Sequence, residues 1–162
     1  MQNQAPTIGF VGLGVMGGPM CRNVVKKHRA PVHAFDVNPT ALRDVAATGA
    51  CDRPSIAEVA AASDIVFLSL LGGKQVEDVC FGKGGIAGVG RRGLIVVDLS
   101  TTSVAEARAI GSRLAGSGIE FADAPVARSE RPLRPALSAS WLAQRRRYLR
   151  ELNRFCGTWA VM

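Results

Sequence analysis

Along residues 7–125, short apolar runs alternate with stretches whose apolar positions recur at three- and four-residue spacing. "TIGFVGL" (7–13), "VHAFD" (32–36), "DIVFLSLL" (64–71), "GLIVVDLS" (93–100) and "IEFADAP" (119–125) read as strands. A run that is apolar at successive positions, as at 64–71, predicts a strand buried on both faces. Helices are predicted from about Val15 to His28 and from Pro39 to about Thr48. Three more are predicted over "SIAEVAAAS" (55–63), "GKQVEDVCF" (73–81) and "VAEARAIGSRLAG" (104–116). Ser55 with Glu58, and Ser103 with Glu106, have the Ser-x-x-Glu spacing of a capping box at a helix start. Strand alternating with helix predicts parallel βαβ units, hence an α/β fold with a doubly wound, mostly parallel sheet.

That pattern fails after Arg128. "SERPLRPALSASWLAQRRR" (129–147) is studded with proline and arginine and has no period. The segment also changes the meaning of the net charge of +7. Residues 1–127 hold 12 Lys+Arg against 11 Asp+Glu, whereas residues 128–162 hold 8 against 2. The basicity is local to the odd tail, which speaks against nucleic acid as a partner of the strand-and-helix region. No run of 18 apolar residues exists, so no membrane span is expected. The beginning "MQNQAPTIGFVG" lacks the features of a signal peptide. Cys21, Cys51, Cys80 and Cys156 are scattered, with no CxxC and no metal-ligand spacing. Reduced thiols, no metal and a cytoplasmic location are the expectation.

The candidate chemistry begins where the first strand ends. Gly12-Leu13-Gly14-Val15-Met16-Gly17 is a G-x-G-x-x-G string with a strand before it, a helix after it and a second strand ending at Asp36. That context is what a dinucleotide-binding loop requires. Gly12 permits the tight turn, Gly14 lets a pyrophosphate approach the backbone, and Gly17 lets helix and strand pack closely. The phosphates would meet the unpaired N–H groups at the helix start. Asp36 either accepts hydrogen bonds from the adenosine ribose or caps Asn38-Pro39. A carboxylate there attracts a 2′-hydroxyl and repels a 2′-phosphate, and Val37-Asn38-Pro39 offers no arginine, which favours NAD. Arg43, further into the next helix, keeps NADP open. With this loop the sheet reads as Rossmann-type.

"GFVGLGVMGGPM" (9–20) extends the loop to G-x-G-x-M-G-x-P-M, and in this it resembles the β-hydroxyacid dehydrogenases. That family includes 3-hydroxyisobutyrate dehydrogenase and tartronate semialdehyde reductase and is related to 6-phosphogluconate dehydrogenase. "SLLGGKQVEDVCFGKGGI" (69–86) resembles the family's M-L-P-x-x-x-x-V segment, "VVDLSTTSVAEARAI" (96–110) its D-x-S-[ST] segment, and "FADAPV" (121–126) its D-A-P-V segment. The resemblance implies that Leu70 and Leu71 flank the adenosine through their backbone, with leucine at 71 where the family has proline. It implies that Thr101 contacts the cofactor near the nicotinamide, or else is a turn hydroxyl at a strand end. After D-A-P-V, Ala127-Arg128-Ser129 stands where most members have Ser-Gly-Gly, which holds the substrate carboxylate. Arg128 would then pair with a carboxylate or be an ordinary surface arginine.

The family reaction is reversible hydride transfer between a nicotinamide and the β-hydroxyl carbon of a small hydroxy acid. Its catalytic lysine lies in a helical domain that this chain is expected to lack, and Lys26, Lys27, Lys74 and Lys83 lie in no matching motif. The tail has a reading of its own. Displaced by one nucleotide, codons for the region around Ala136 to Ala143 can spell Gly-Thr-Leu-Ser-Ile-Met-Val-Gly, the family's next strand. "YLRELNRFCGT" (148–158) then resembles the family in the original frame. The expected organisation is a dinucleotide-binding domain over 1–128, a frame-shifted segment over 129–147 and a remnant of the same domain over 148–162. An arginine patch in "QRRRYLR" that binds phosphate is the alternative for the tail. For the whole chain, the alternatives to a truncated, inactive dehydrogenase domain are a non-catalytic dinucleotide-binding module and a poorly folded remnant.

Overall fold

The computed structural model describes residues 5–125. Six strands form one sheet: β1 (Ile8–Val11), β2 (Val32–Phe35), β3 (Cys51–Asp52), β4 (Ile65–Leu68), β5 (Ile95–Asp98) and β6 (Glu120–Asp123). Their order is β3-β2-β1-β4-β5-β6, and every neighbouring pair is parallel. The helices are α1 (Gly17–Lys27), α2 (Pro39–Ala46), α3 (Ile56–Ala62), α4 (Gly73–Phe81) and α5 (Val104–Gly116). The chain winds outward from β1 to β3, then returns to place β4 on the other side of β1. This reversal makes a crevice at the carboxyl ends of β1 and β4, where doubly wound sheets bind ligands.

The apolar runs form strands because both faces of the sheet are covered. Ile65 and Phe67 of β4 join one core with Phe10, Val24 and Val32, and Val66 and Leu68 join the other with Val59, Val76 and Leu114. Each such fully buried side chain is worth about 1.5–3 kcal/mol relative to exposure. The helices start where side chains can satisfy free N–H groups: Asn38 accepts from the Thr40 N–H at α2, and Ser55 from the Glu58 N–H at α3. Ser103 and Glu106 form the full reciprocal box at α5.

The expected alternation holds, with three differences. The sheet is parallel throughout the described residues rather than mostly so. β3 has no counterpart in the sequence reading, because two exposed edge residues show no apolar pattern. The predicted strands also overrun their carboxyl ends: the run to 13 stops at Val11, the run to 71 at Leu68 and the run to 100 at Asp98. Leu13 and Leu99 are nonetheless buried in the core, so hydropathy stays high after the ladder has ended.

The two edges of the sheet differ. At the amino-terminal edge, Asp64 accepts from the Thr7 N–H (2.8 Å) and from Arg91 Nη2 (2.6 Å), while Arg91 Nη1 donates to the Ala61 carbonyl. His28 Nε2 donates to the Pro6 carbonyl nearby. The carboxyl edge instead carries exposed apolar side chains. Val15, Val37, Leu71 and Val104, which follow β1, β2, β4 and β5, are each more than half exposed. Among the described residues, no helix is long and apolar enough to cross a membrane, and no group of three or more His, Cys, Asp or Glu could hold a metal.

Candidate functional site

The loop from β1 to α1 is shaped by its glycines, and they do different work. Gly12 has φ +91°, and a Cβ there would lie 2.2 Å from the Ser69 carbonyl oxygen, so both conformation and space demand glycine. A Cβ at Gly17 would lie 2.0 Å from the Gly12 carbonyl oxygen. Gly18, which the sequence reading left unassigned, is crowded to a lesser degree: a Cβ there would lie 2.9 Å from the Leu13 carbonyl oxygen. Gly14 is the exception. A Cβ there would meet nothing within 4 Å, and its φ is not left-handed. Nothing in the described fold needs glycine at that position.

Open space at Gly14 adjoins the start of α1. Met16 precedes that helix without a side-chain cap bond, and its first turn holds no acidic residue. Helices α2, α3 and α5 are capped by Asn38, Ser55 and Ser103. α4 also lacks a side-chain cap, but the Glu106 carboxylate packs against its first residue, 2.7 Å from where a Gly73 Cβ would stand. Hydrogen bonds from Ser103 hold Glu106 below its ordinary pKa of 4.5. The positive end of α1 therefore faces the crevice with no protein anion in its first turn.

Asp36 follows β2 and holds the loop in place. Its Oδ2 accepts from the Leu13 N–H at 2.5 Å, and its Oδ1 accepts from the Asn38 N–H at 2.7 Å. Of the two alternatives of the sequence reading, the contact that caps Asn38 is present. The carboxylate secures the entry to α2, and its two oxygens, with about four lone-pair sites between them, retain capacity for hydroxyl donors. Leu13 is buried, with its N–H taken by Asp36, whereas Val15 (91% exposed) and Met16 stand outward. Arg43 stays on its own helix, donating to the Pro39 carbonyl and Thr40 Oγ1.

Across the crevice, the Leu70 N–H donates to Ser100 Oγ at 2.9 Å, and Leu71 is 92% exposed. Thr101 is exposed in the turn after β5. That turn is organised by Asp98, a residue the sequence reading did not single out, which is fully buried. Its Oδ1 accepts from the Ser100 N–H (2.9 Å) and its Oδ2 from Thr102 Oγ1 (2.6 Å). Asp123 is its register partner on β6, and Asp123 Oδ1 is buried with no hydrogen-bond partner among the described residues. Burial, and then the charge of Asp98, push the Asp123 carboxyl above its ordinary pKa of 3.8. The D-x-S and D-A-P strings carried the signal for this pair, but only the sheet sets them side by side. Ala127 and Arg128, and the whole of 129–147 and 148–162, lie outside the described residues.

Residues 7–137 match the model of the NAD binding domain of 6-phosphogluconate dehydrogenase, a match that runs past residue 128. The 2-(hydroxymethyl)glutarate dehydrogenase of Eubacterium barkeri is 40% identical over 119 residues, 74% of this chain and 39% of that protein. The 2-hydroxy-3-oxopropionate reductase of Escherichia coli is 32% identical over 123 residues, covering 76% and 41%. Among solved structures, the Mycobacterium tuberculosis 3-hydroxyisobutyrate dehydrogenase with L-serine superposes with a TM-score of 0.71 at 34% identity, over 76% of this chain and 41% of that one. The chain thus spans about two fifths of the length of these relatives.

Proposed function

The chain belongs to the β-hydroxyacid dehydrogenase family, as its N-terminal nicotinamide-dinucleotide-binding domain, and from that premise we propose that it binds NAD in preference to NADP. The open surrounding of Gly14, between two glycines that the fold itself requires, supports the dinucleotide, and the Asp36 carboxylate at the end of β2 carries the preference for NAD. A pyrophosphate laid on that backbone fills the space and meets the uncapped start of α1. Asp36 accepts hydroxyl donors from the adenosine ribose while holding the Leu13 N–H, and repels a 2′-phosphate. Charged hydrogen bonds of this kind contribute about 1.5–3 kcal/mol.

When bound, the nicotinamide ring supplies the site at which hydride is accepted or released. The residues of this chain hold and orient it. Gly12 and Gly17 fix the loop, Asp36 locks it to β2, and Asp98 fixes the turn bearing Thr101, tied through Ser100 to Leu70. We propose a small β-hydroxy acid as the reductant or product in the whole protein, with Ala127 and Arg128 near its carboxylate.

The test is titration of the purified chain with NAD and NADP, followed by calorimetry. NAD should bind more tightly, and Gly14→Val should abolish binding while the circular dichroism of the folded chain is kept. Equal affinity for the two cofactors would remove Asp36 from its assigned role. Retained binding in Gly14→Val would remove the glycine loop.

A further inference from the structure

We infer that Asp123, standing beside Asp98, sets the preference of this site for the oxidised over the reduced nicotinamide ring. The inference rests on the cofactor reading above and concerns a residue that reading does not use. A dinucleotide in a doubly wound sheet lies across the switch point, one mononucleotide over each half. With the adenosine ribose at Asp36 after β2 and the pyrophosphate at Gly14, the nicotinamide half extends over the carboxyl ends of β4, β5 and β6. Asp98 and Asp123 end β5 and β6 as register partners.

The two carboxylates differ in a way that gives Asp123 the variable charge. Asp98 is fully buried with both oxygens engaged by its own turn. Asp123 is partly buried, its Oδ1 has no hydrogen-bond partner among the described residues, and Asp98 opposes its ionisation. Among the described residues neither is paired with a cation: the ion pairs there are Arg91–Asp64 and Arg113–Glu77. Among the described residues, the elements packed most closely on β6 are β5 and α5. β5 presents Asp98, and α5 carries Glu106, Arg108 and Arg113, of which Glu106 is held by Ser103 and Arg113 by Glu77. The oxidised ring carries a positive charge and the reduced ring none, so a pair of carboxylates with no cation beside it among the described residues would favour the oxidised form. A unit charge taken at about 9 Å changes such an equilibrium by a factor of about two in a water-like dielectric and about twenty at an effective value near 20.

The experiment measures dissociation constants of NAD⁺ and NADH for the full chain and for Asp123→Asn, by calorimetry and by quenching of protein fluorescence. The Kd ratio, NADH over NAD⁺, should fall about fivefold in Asp123→Asn. In the unaltered chain the ratio should also fall as pH is lowered from neutrality toward the raised pKa of Asp123, because protonation removes the same charge. The variant should show a flat profile. Asp36 acts on a ribose common to both forms and cancels in the ratio. A variant whose ratio matches the unaltered chain overturns the inference while leaving the cofactor reading intact. If the variant does not fold, the unaltered chain decides alone, and a pH-independent ratio overturns the inference. Failure of the unaltered chain to bind either form overturns the cofactor reading and this inference with it.

Discussion

Alanine at Gly14 and alanine at Gly17, made in separate chains, place the same methyl group in opposite surroundings. At Gly17 the new carbon would lie 2.0 Å from the Gly12 carbonyl oxygen and 3.1 Å from Ser69 Cβ, so backbone has to move. Forced overpacking of this kind costs about 1–3 kcal/mol. At Gly14 nothing lies within 4 Å and the backbone is not left-handed. Alanine there should leave stability unchanged or raise it by about 0.4–1 kcal/mol, through the smaller entropy of the unfolded chain.

Cofactor reverses the ranking. At a free NAD concentration of about 100 times Kd, the unaltered chain gains about 2.7 kcal/mol. For a chain of this size that corresponds to roughly 5–10 °C in Tm. If the methyl at Gly14 weakens binding by about a hundredfold, the gain at the same concentration drops to about 0.4 kcal/mol, or about 1 °C. Thermal unfolding with and without NAD therefore separates the two glycines: Gly17→Ala melts early, and Gly14→Ala melts normally but ignores the cofactor. A Gly14→Ala chain that keeps the full NAD shift would refute the assignment of that space to the pyrophosphate. A Gly14→Ala chain as unstable as Gly17→Ala would refute the packing argument itself.

Asp36→Ala should lose NAD affinity by roughly tenfold to a hundredfold and narrow its margin over NADP, since the carboxylate that holds the Leu13 N–H is also the proposed ribose acceptor; calorimetric titration with each cofactor reads both effects. Burial pushes the thiols of Cys21 and Cys80 up to about 12 from an ordinary 9.0. The unfolded chain therefore gives up these protons first, so their contribution to stability is whole below pH 9 and is lost as pH rises toward 12. Denaturant midpoints across that range should fall, and replacing either cysteine by alanine should reduce the slope. At neutral pH, exposed Cys51 should react with a disulfide reagent much faster than Cys21 or Cys80. For the tail, the coding DNA should restore the Gly-Thr-Leu-Ser-Ile-Met-Val-Gly strand with a single-base displacement within 129–147; codons that cannot spell it in either shifted frame would return the segment to a basic arm with a role of its own.

Hydropathy and spacing alone determined most of this domain. Strands buried on both faces must be apolar at successive positions, so β1, β4 and β5 were legible from composition in short windows, and Ser103 with Glu106 marked the start of α5 because a cap is a local interaction. The glycine loop and Asp36 were legible for the same reason, as spacing within one βαβ unit. What the sequence left open depended on contacts between segments far apart in the chain. β3 exists because β2 offers it an edge, not because Cys51 and Asp52 favour a strand. The overrun of the predicted strands is resolved by the ladder, which ends while Leu13 and Leu99 still find the core. Which of the glycines is free was decided by neighbours: Ser69 closes on Gly12 and Gly12 on Gly17, and nothing closes on Gly14. Asp98 and Asp123 are 25 positions apart in the chain, and only the pairing of β5 with β6 sets one carboxyl beside the other. Electrostatic coupling follows distance in space, so no local pattern could announce it.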